Sequence, residues 1–275
     1  MFNWQNRNMN ITPITKVTFK TILKERIFIG SLVVYFLLIC LSYFLSDLVA
    51  GDVVKVFLDF LFSFSLLITV IFAIFVSVSN TFTDFKEKVV YIIFSKPISR
   101  TDYILGKFVG ICLAFFLFWA ITCSMCSISI LVVDKLAKLH TPHIVYSGAV
   151  LKLSLGYLLM GILLTALGIV FALIFSSLPL CIMAAFFTFV SGLELAPVRE
   201  LVLRSEHASV IHKHMVNLAF YILPNFSLYD LKQAVVHCQE VVLPAVYIGK
   251  LGLYTILYSA IFLLLAIGII KKREF

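Results

Sequence analysis

The chain has 275 residues, of which 62% are hydrophobic and only 13% are charged. Soluble domains carry about 25% charged residues, so this composition excludes a soluble enzyme, a disordered tail and a nucleic-acid-binding domain. It indicates a polytopic membrane protein. The net charge of +8 is therefore interpreted as a signal of membrane orientation, with no nucleic acid as partner.

The first predicted element is an amphipathic helix over residues 11–26. Lys16, Lys20 and Lys24 recur every four residues and so share one sector of a helix, and Arg26 follows them. Such a helix can lie in the membrane interface with its lysines toward the anionic headgroups of the lipid bilayer. The alternative is an ordinary basic flank of the first span.

Six transmembrane spans are predicted from stretches that lack Asp, Glu, Lys and Arg, because a helix needs about 20 mostly apolar residues to cross the bilayer. One charge-free stretch, residues 153–193, is long enough for two crossings, and Ser176, Ser177 and Pro179 divide it. The predicted spans cover residues 27–46, 57–79, 108–133, 154–176, 178–193 and 247–270. Together they form a single all-α transmembrane domain, residues 1–275.

Both termini are predicted to lie on the cytoplasmic side of the inner membrane. Thirteen of the 22 basic residues occur in the N-terminal segment, the loop after the second span and the C-terminus. The first loop on the other side has only Lys55, and the next has Lys135, Lys138 and Lys152. Since Lys and Arg accumulate in cytoplasmic loops, the basic segments indicate the cytoplasmic face.

The loop after the second span is predicted to contain a short helix over residues 82–96. Thr83 or Asp84 can cap its start, and the helix should stop before Pro97. Its charges come early and its apolar residues late, so it can neither stay in water nor cross a bilayer. A helix of this kind needs a surface on which to pack. Arg100 and Lys107, which follow it, are predicted to lie at the membrane surface.

Residues 194–246 form a predicted external region that is too long for a simple connector. Its apolar parts are short and are broken at Pro224, so they cannot cross the bilayer. We expect surface or re-entrant helices on the outer leaflet.

The predicted spans contain no Asp, Glu, Lys, Arg or His at mid-depth. An ion-coupled carrier needs such groups or paired broken helices, and a membrane-embedded hydrolase needs a nucleophile with a base or metal ligands. The sequence also has no Walker A motif, since Phe108 follows the Gly106–Lys107 pair. We therefore predict a non-catalytic chain that binds no cofactor or metal itself and takes its energy from another subunit.

Two shorter patterns leave alternatives open. Gly106 and Gly110 have the spacing of a close helix–helix contact, or they are chance glycines near a helix start. Cys123 and Cys126 have the spacing of a redox motif, but their apolar setting favours core packing.

Four strings, in this order, resemble the permease subunits of the type-2 (exporter) class of ABC transporters. They are FSKPISR at residues 94–100, YILGKFVG at 103–110, LPNF at 223–226 and KKREF at 271–275. The chain most resembles the branch associated with multicopper-enzyme maturation or gliding. Phe94 stands where leucine is more usual, and the family's Glu-rich start of the coupling helix reads here as Asp84-Phe85-Lys86-Glu87.

The resemblance implies a coupling helix at residues 82–96 that docks on a separate ABC ATP-binding subunit, which would hold ATP and Mg²⁺. It also implies a second permease copy, as a homodimer or heterodimer, and a possible periplasmic partner. The coupling residues would be Asp84, Phe85, Glu87, Tyr91, Phe94, Lys96, Pro97 and Arg100. The helix with Lys16, Lys20, Lys24 and Arg26 would brace that contact, and Pro224, Asn225 and Phe226 would form the external element.

In this interpretation Asp84 has the acidic role of the coupling helix, with Glu87 as the alternative. The competing function is a membrane anchor or scaffold that recruits a cytoplasmic or periplasmic partner without moving a substrate. A membrane-embedded enzyme ranks third because no span has a polar constellation. The transported substrate is not predicted.

Overall fold

The structure of the protein, a computed structural model, describes residues 11–48, 53–95, 98–136, 143–205, 209–232 and 245–272. All regular elements within these ranges are helical. Six of the helices are long and apolar enough to cross a membrane. The chain is therefore an all-α polytopic membrane protein, which confirms the fold class predicted from composition.

The membrane-crossing helices are separated by shorter ones at the two ends of the bundle. Helix α1 precedes the first crossing helix, α4 lies between the second and third, and α8 and a 3-10 helix lie between the last two. The bounds are α1 Ile11–Lys24, α2 Arg26–Asp47, α3 Val53–Lys86, α4 Val89–Phe94, α5 Arg100–Leu136, α6 His143–Ile174, α7 Leu178–Arg204, α8 Val210–Ile222, the 3-10 helix Phe226–Tyr229 and α9 Ala245–Lys272.

Helix α6 occupies the centre of the bundle and contacts α3, α5, α7 and α9. Aromatic rings fill the space between α2, α3 and α5, where Phe72 stacks on Phe118 with ring centroids 3.8 Å apart. Phe28 adds an edge-on contact to both rings. Helices α2, α7 and α9 lie at the periphery, where less than a third of the most apolar stretch of each is buried, as expected for surfaces that face lipid.

Several helices continue beyond the charge-free stretches that predicted them. The fifth span was predicted to end at residue 193, whereas α7 continues to Arg204. Arg199 stabilises this extension, because it donates a hydrogen bond to Asn217 of α8 and lies 4.4 Å from the ring centroid of Phe220. The absence of charge marks the apolar part of a helix, and a helix can continue into a more polar region.

The predicted helix of the loop also differs from the structure. Its start was placed near Thr83 or Asp84, but α3 continues without a break to Lys86. The helix ends in a turn at Lys88, whose φ of 58° is left-handed, and the short α4 follows. A polar capping residue favours a helix start, but here the capping candidates lie inside the last turns of a longer helix.

The short elements mark two different ends of the bundle. We call the end with α1, α4, the start of α5 and the end of α9 the α1–α4 end. The opposite end carries the 3-10 helix and the start of α3. Basic residues also occur at this opposite end. Four of them were not among the Lys and Arg residues used to predict the cytoplasmic side: Arg199, Arg204, Lys213 and Lys232.

Candidate functional site

The α1–α4 end holds most of the residues predicted to act in coupling. Helix α1 has two distinct faces. Ile14, Thr18 and Ile22 are buried, and they recur every four residues, so they form one stripe along the helix. Lys16, Lys20 and Lys24 are exposed on the remaining surface. Arg26, the first residue of α2, is exposed as well.

The buried stripe of α1 packs against two glycines of α5. A Cβ atom added at Gly106 would lie 2.9 Å from Cβ of Ile14, and one added at Gly110 would lie 2.7 Å from Cβ of Thr18. Thr15 donates a hydrogen bond from Oγ1 to the Gly106 carbonyl at 3.2 Å. The structure therefore decides between the two alternatives for this glycine pair: it is a close contact between helices, with α1 as the partner of α5.

A buried ion pair joins α5 to the end of α3. The Lys107 side chain is 4% exposed and its ammonium forms an ion pair with Asp84, whose side chain is 22% exposed. Lys107 also donates a hydrogen bond to the Asn80 carbonyl at 2.9 Å, and the Tyr103 hydroxyl donates one to the Asp84 carboxylate at 2.7 Å. The side chain of Asp84 is thus directed into the protein and has two intramolecular donors.

Glu25 adds a second carboxylate at the junction of α1 and α2. Its Oε1 accepts a hydrogen bond from Asn80 at 3.3 Å, whereas its Oε2 and the Asn80 Oδ1 are buried without a hydrogen-bond partner. Burial raises the pKa of Glu25, while the hydrogen bond from Asn80 and the charge of Lys107 lower it. Because desolvation dominates, this carboxyl group binds a proton more readily than an exposed glutamate does.

Helix α4 packs one face on this cluster and exposes the other. Val90 is fully buried, while Tyr91 and Ile92 are 49% and 67% exposed. The Phe94 and Phe85 rings lie edge-on to Tyr103, with ring centroids 5.7 and 6.3 Å away. A displacement of α4 would therefore act directly on the start of α5.

The predicted coupling residues separate into two groups in the structure. Asp84, Phe85 and Phe94 pack inward around Tyr103, whereas Glu87 and Tyr91 are exposed. The interpretation of Asp84 as a docking acid is thus at odds with its ion pair, and Glu87 is the exposed acid. Lys96 and Pro97 lie outside the described residues.

Sequence reasoning missed the interior partners of this cluster. Lys107 was placed at the membrane surface, but it is 3% exposed. Glu25, Asn80 and Tyr103 were not singled out. Their spacing in the chain gives no signal, because contacts between α2, α3 and α5 depend on how the helices pack.

Arg100 joins the loop to the end of the last helix. Its guanidinium donates hydrogen bonds to the carbonyls of Ile270 at 3.0 Å and Lys271 at 2.9 Å. These carbonyls belong to the last turn of α9, where backbone acceptors lack helical partners and a positive charge is favourable. Arg100 therefore caps α9, a role that the sequence did not indicate.

We expect the substitution Arg100→Ala to loosen the C-terminal turn of α9. Both carbonyls would lose a charged donor, at a cost of about 1–3 kcal/mol. Hydrogen exchange of the amides at the end of α9 should accelerate, while exchange in α6 stays unchanged. Unchanged protection of the last turn would contradict the capping role.

The opposite end of the bundle is held together by the predicted external element. Pro224, Asn225 and Phe226 are all buried. Asn225 accepts a hydrogen bond from the Ser227 amide through Oδ1 and so caps the 3-10 helix, and its own amide donates to the Tyr254 hydroxyl at 2.8 Å. The element thereby joins α9 to the segment after α8.

This segment also contacts α7, α6 and α3. A Cβ atom added at Gly192 of α7 would lie 2.3 Å from the Pro224 carbonyl oxygen. The Tyr229 hydroxyl shares a 2.7 Å hydrogen bond with Thr255, and Lys232 pairs with Asp59 at 3.0 Å. The packing indicates a structural role for this element, which closes one end of the bundle.

The substitution Tyr254→Phe is expected to cost about 1–2 kcal/mol of stability, because the buried Asn225 amide would lose its acceptor. Thermal unfolding in detergent measures the loss. Tyr221→Phe is the matched control, since Tyr221 is 73% exposed and its substitution should leave the midpoint unchanged. Equal midpoints for the two variants would contradict the assigned hydrogen bond.

No group of three or more potential metal ligands occurs among the described residues. His212 and His214 are exposed on α8. Cys126 is buried in the bundle, and Cys123 lies within 3.4 Å of the Ser154 hydroxyl. At the α1–α4 end, interior polar groups lie beside two helices that expose apolar side chains, Val17 on α1 and Ile92 on α4.

No protein-family model and no curated protein matches the chain.

Proposed function

We propose that the chain is the membrane-spanning permease subunit of an ATP-driven ABC exporter. A separate cytoplasmic subunit would bind ATP and Mg²⁺, and a second permease copy would complete the transporter as a homodimer or heterodimer. The chain would lie in the inner membrane with both termini in the cytoplasm. The observation that carries the proposal is that α1 and α4 are both anchored on the first turns of α5 while each keeps an exposed face.

This arrangement supports a mechanical link between a docked partner and the membrane. Force applied to α4 would pass through Phe94 and Tyr103 to α5, and force on α1 would pass through the contacts at Gly106 and Gly110. Helix α5 continues across the membrane and packs on α6 at the centre of the bundle. Closure of an ATPase dimer could thus move the spans as rigid bodies, to export a substrate or to act on a periplasmic partner.

Exposed residues on α4 and the preceding turn would form the docking contact. Glu87 and Tyr91 are exposed there, whereas Asp84 is engaged with Lys107. A double substitution of Asp84 and Glu87 would mix a docking effect with structural damage. Glu87 alone is therefore the sharper probe of the partner contact.

The decisive experiment co-expresses the chain with an ABC ATP-binding subunit from the same genome and measures co-purification and ATPase stimulation. We expect Glu87→Lys to lower ATPase stimulation at least several-fold, because it reverses the charge presented to the partner. The matched control is Glu200→Lys, whose side chain is 63% exposed at the opposite end of the bundle. If both variants stimulate the ATPase as strongly as the wild-type chain does, the assigned docking surface is refuted.

The alternative function is a membrane anchor or scaffold that recruits a partner without moving a substrate. The same exposed face of α4 would serve it. Co-purification of a partner that has no ATPase activity, or whose ATPase rate is independent of the chain, would favour the scaffold.

A further inference from the structure

A cleft of about 210 Å³ opens between α1, α4 and the start of α5. Its walls are apolar and include Val17 from α1 and Ile92 from α4, which are 66% and 67% exposed at its rim. Its floor is polar and consists of Asn80, Asp84 and Lys107 together with neighbouring hydroxyl groups. An apolar wall above a polar floor suits an amphiphile better than a purely polar or purely apolar ligand.

The floor of this cleft is short of hydrogen-bond donors. Asn80 is 6% exposed, and its Oδ1 is buried without a partner. The single positive charge of Lys107 faces two carboxylates, since Asp84 pairs with it directly and Glu25 lies behind Asn80. Unpaired buried acceptors are costly. A ligand with N–H donors would supply the hydrogen bond that Asn80 Oδ1 lacks, and a positive charge on it would add a second cation to balance the two carboxylates.

We propose that the cleft binds the headgroup of a phospholipid with a primary ammonium group. The ammonium would donate a hydrogen bond to Asn80 Oδ1, and its charge would be attracted by the carboxylates of Asp84 and of Glu25 behind Asn80. The apolar rim would contact the glycerol and the first methylene groups of the lipid. This inference does not depend on the proposed function.

The geometry of α1 favours a lipid as the source of that ammonium. Residues 13, 17 and 21 of α1 line the cleft. Two of its exposed lysines, at positions 16 and 20, directly precede members of this row, and the third follows at position 24. An amphipathic helix with a lysine row is suited to the membrane interface, and its cations would meet the lipid phosphate while the ammonium reaches the floor. A simple soluble amine has neither a phosphate to contact the lysines nor an apolar part to contact the rim.

The test places the purified full chain in nanodiscs of phosphatidylcholine and adds phosphatidylethanolamine or phosphatidylglycerol in increasing fractions. We expect phosphatidylethanolamine to raise the unfolding midpoint by about 2–4 °C and to be retained as a bound lipid in native mass spectra. Phosphatidylcholine has no N–H donor and phosphatidylglycerol has no cation, so neither should reproduce the effect.

Two variants identify the cleft as the site. Asn80→Leu removes the free acceptor, and the double variant Val17→Trp/Ile92→Trp fills the cleft from exposed positions that should tolerate it. Both should lose the response to phosphatidylethanolamine. The control Ile29→Trp/Val33→Trp alters exposed residues of α2 outside the cleft and should keep it.

Three results would overturn the proposal. The first is an equal response to all three lipids. The second is a response to phosphatidylglycerol alone, which would indicate binding to the exposed lysines. The third is retention of phosphatidylethanolamine by a folded double tryptophan variant.

Discussion

Replacing Lys107 with methionine should be among the most damaging single substitutions in this chain. It would leave the carboxylate of Asp84 with Tyr103 as its remaining hydrogen-bond donor and would remove the donor to the Asn80 carbonyl. Removing one partner of a buried ion pair costs about 3–5 kcal/mol. Because Asp84 is 22% exposed, we expect the lower end of this range. Thermal unfolding of the purified chain measures it.

The chain provides a matched control and an internal rescue for this prediction. Arg204 pairs with Glu200 one helical turn away, but both side chains are more than half exposed, so Arg204→Met should cost less than about 1 kcal/mol. Adding Asp84→Asn to Lys107→Met should restore part of the stability, because asparagine removes the buried charge yet still accepts from Tyr103. A double variant less stable than Lys107→Met would refute the pairing.

Replacing Gly110 with alanine should push α1 away from α5, even though alanine is the better helix former. The added Cβ would lie 2.7 Å from Cβ of Thr18 and 3.0 Å from the Thr15 carbonyl oxygen, so one helix must move. We expect a loss of about 1–3 kcal/mol, as for other overpacked contacts. Leucine at this position should separate the helices and expose α1 to protease.

Gly30 of α2 is the matched control for Gly110. A Cβ atom added there meets nothing within 4 Å, so Gly30→Ala should stabilise the chain by up to about 1 kcal/mol through helix propensity. The two substitutions are chemically identical and should shift the unfolding midpoint in opposite directions. If both stabilise the chain, the close contact between α1 and α5 is wrong. If the proposed function is correct, Gly110→Leu should also reduce ATPase stimulation.

The bundle was predictable because its main determinant is local. Charge-free stretches of about 20 residues have few alternatives to crossing a bilayer as helices, so the six crossing helices follow from composition along the chain. Their ends were less predictable. Thr83 and Asp84 have the chemistry of a helix start, yet they continue α3, because packing against Tyr103 and Lys107 stabilises another helical turn.

The roles of individual charged residues depended on the tertiary structure. Asp84 was the preferred docking acid and Glu87, three residues later, was the alternative, but the fold engages Asp84 in an ion pair and exposes Glu87. Arg100 and Lys107 both resembled membrane-surface cations. One caps a helix 170 residues away in the chain, and the other lies inside the bundle.

The sequence by itself determined that this protein is a helical membrane protein, that α1 is amphipathic and that Gly106 and Gly110 have the spacing of a close contact. Only the tertiary structure decided that α1 packs on those glycines and that Lys107, Asp84, Asn80 and Glu25 meet beneath α4. The physical reason is that hydrophobicity and helix periodicity act between near neighbours in the chain. A buried ion pair depends on which helices adjoin, and the packing of the whole bundle sets that arrangement.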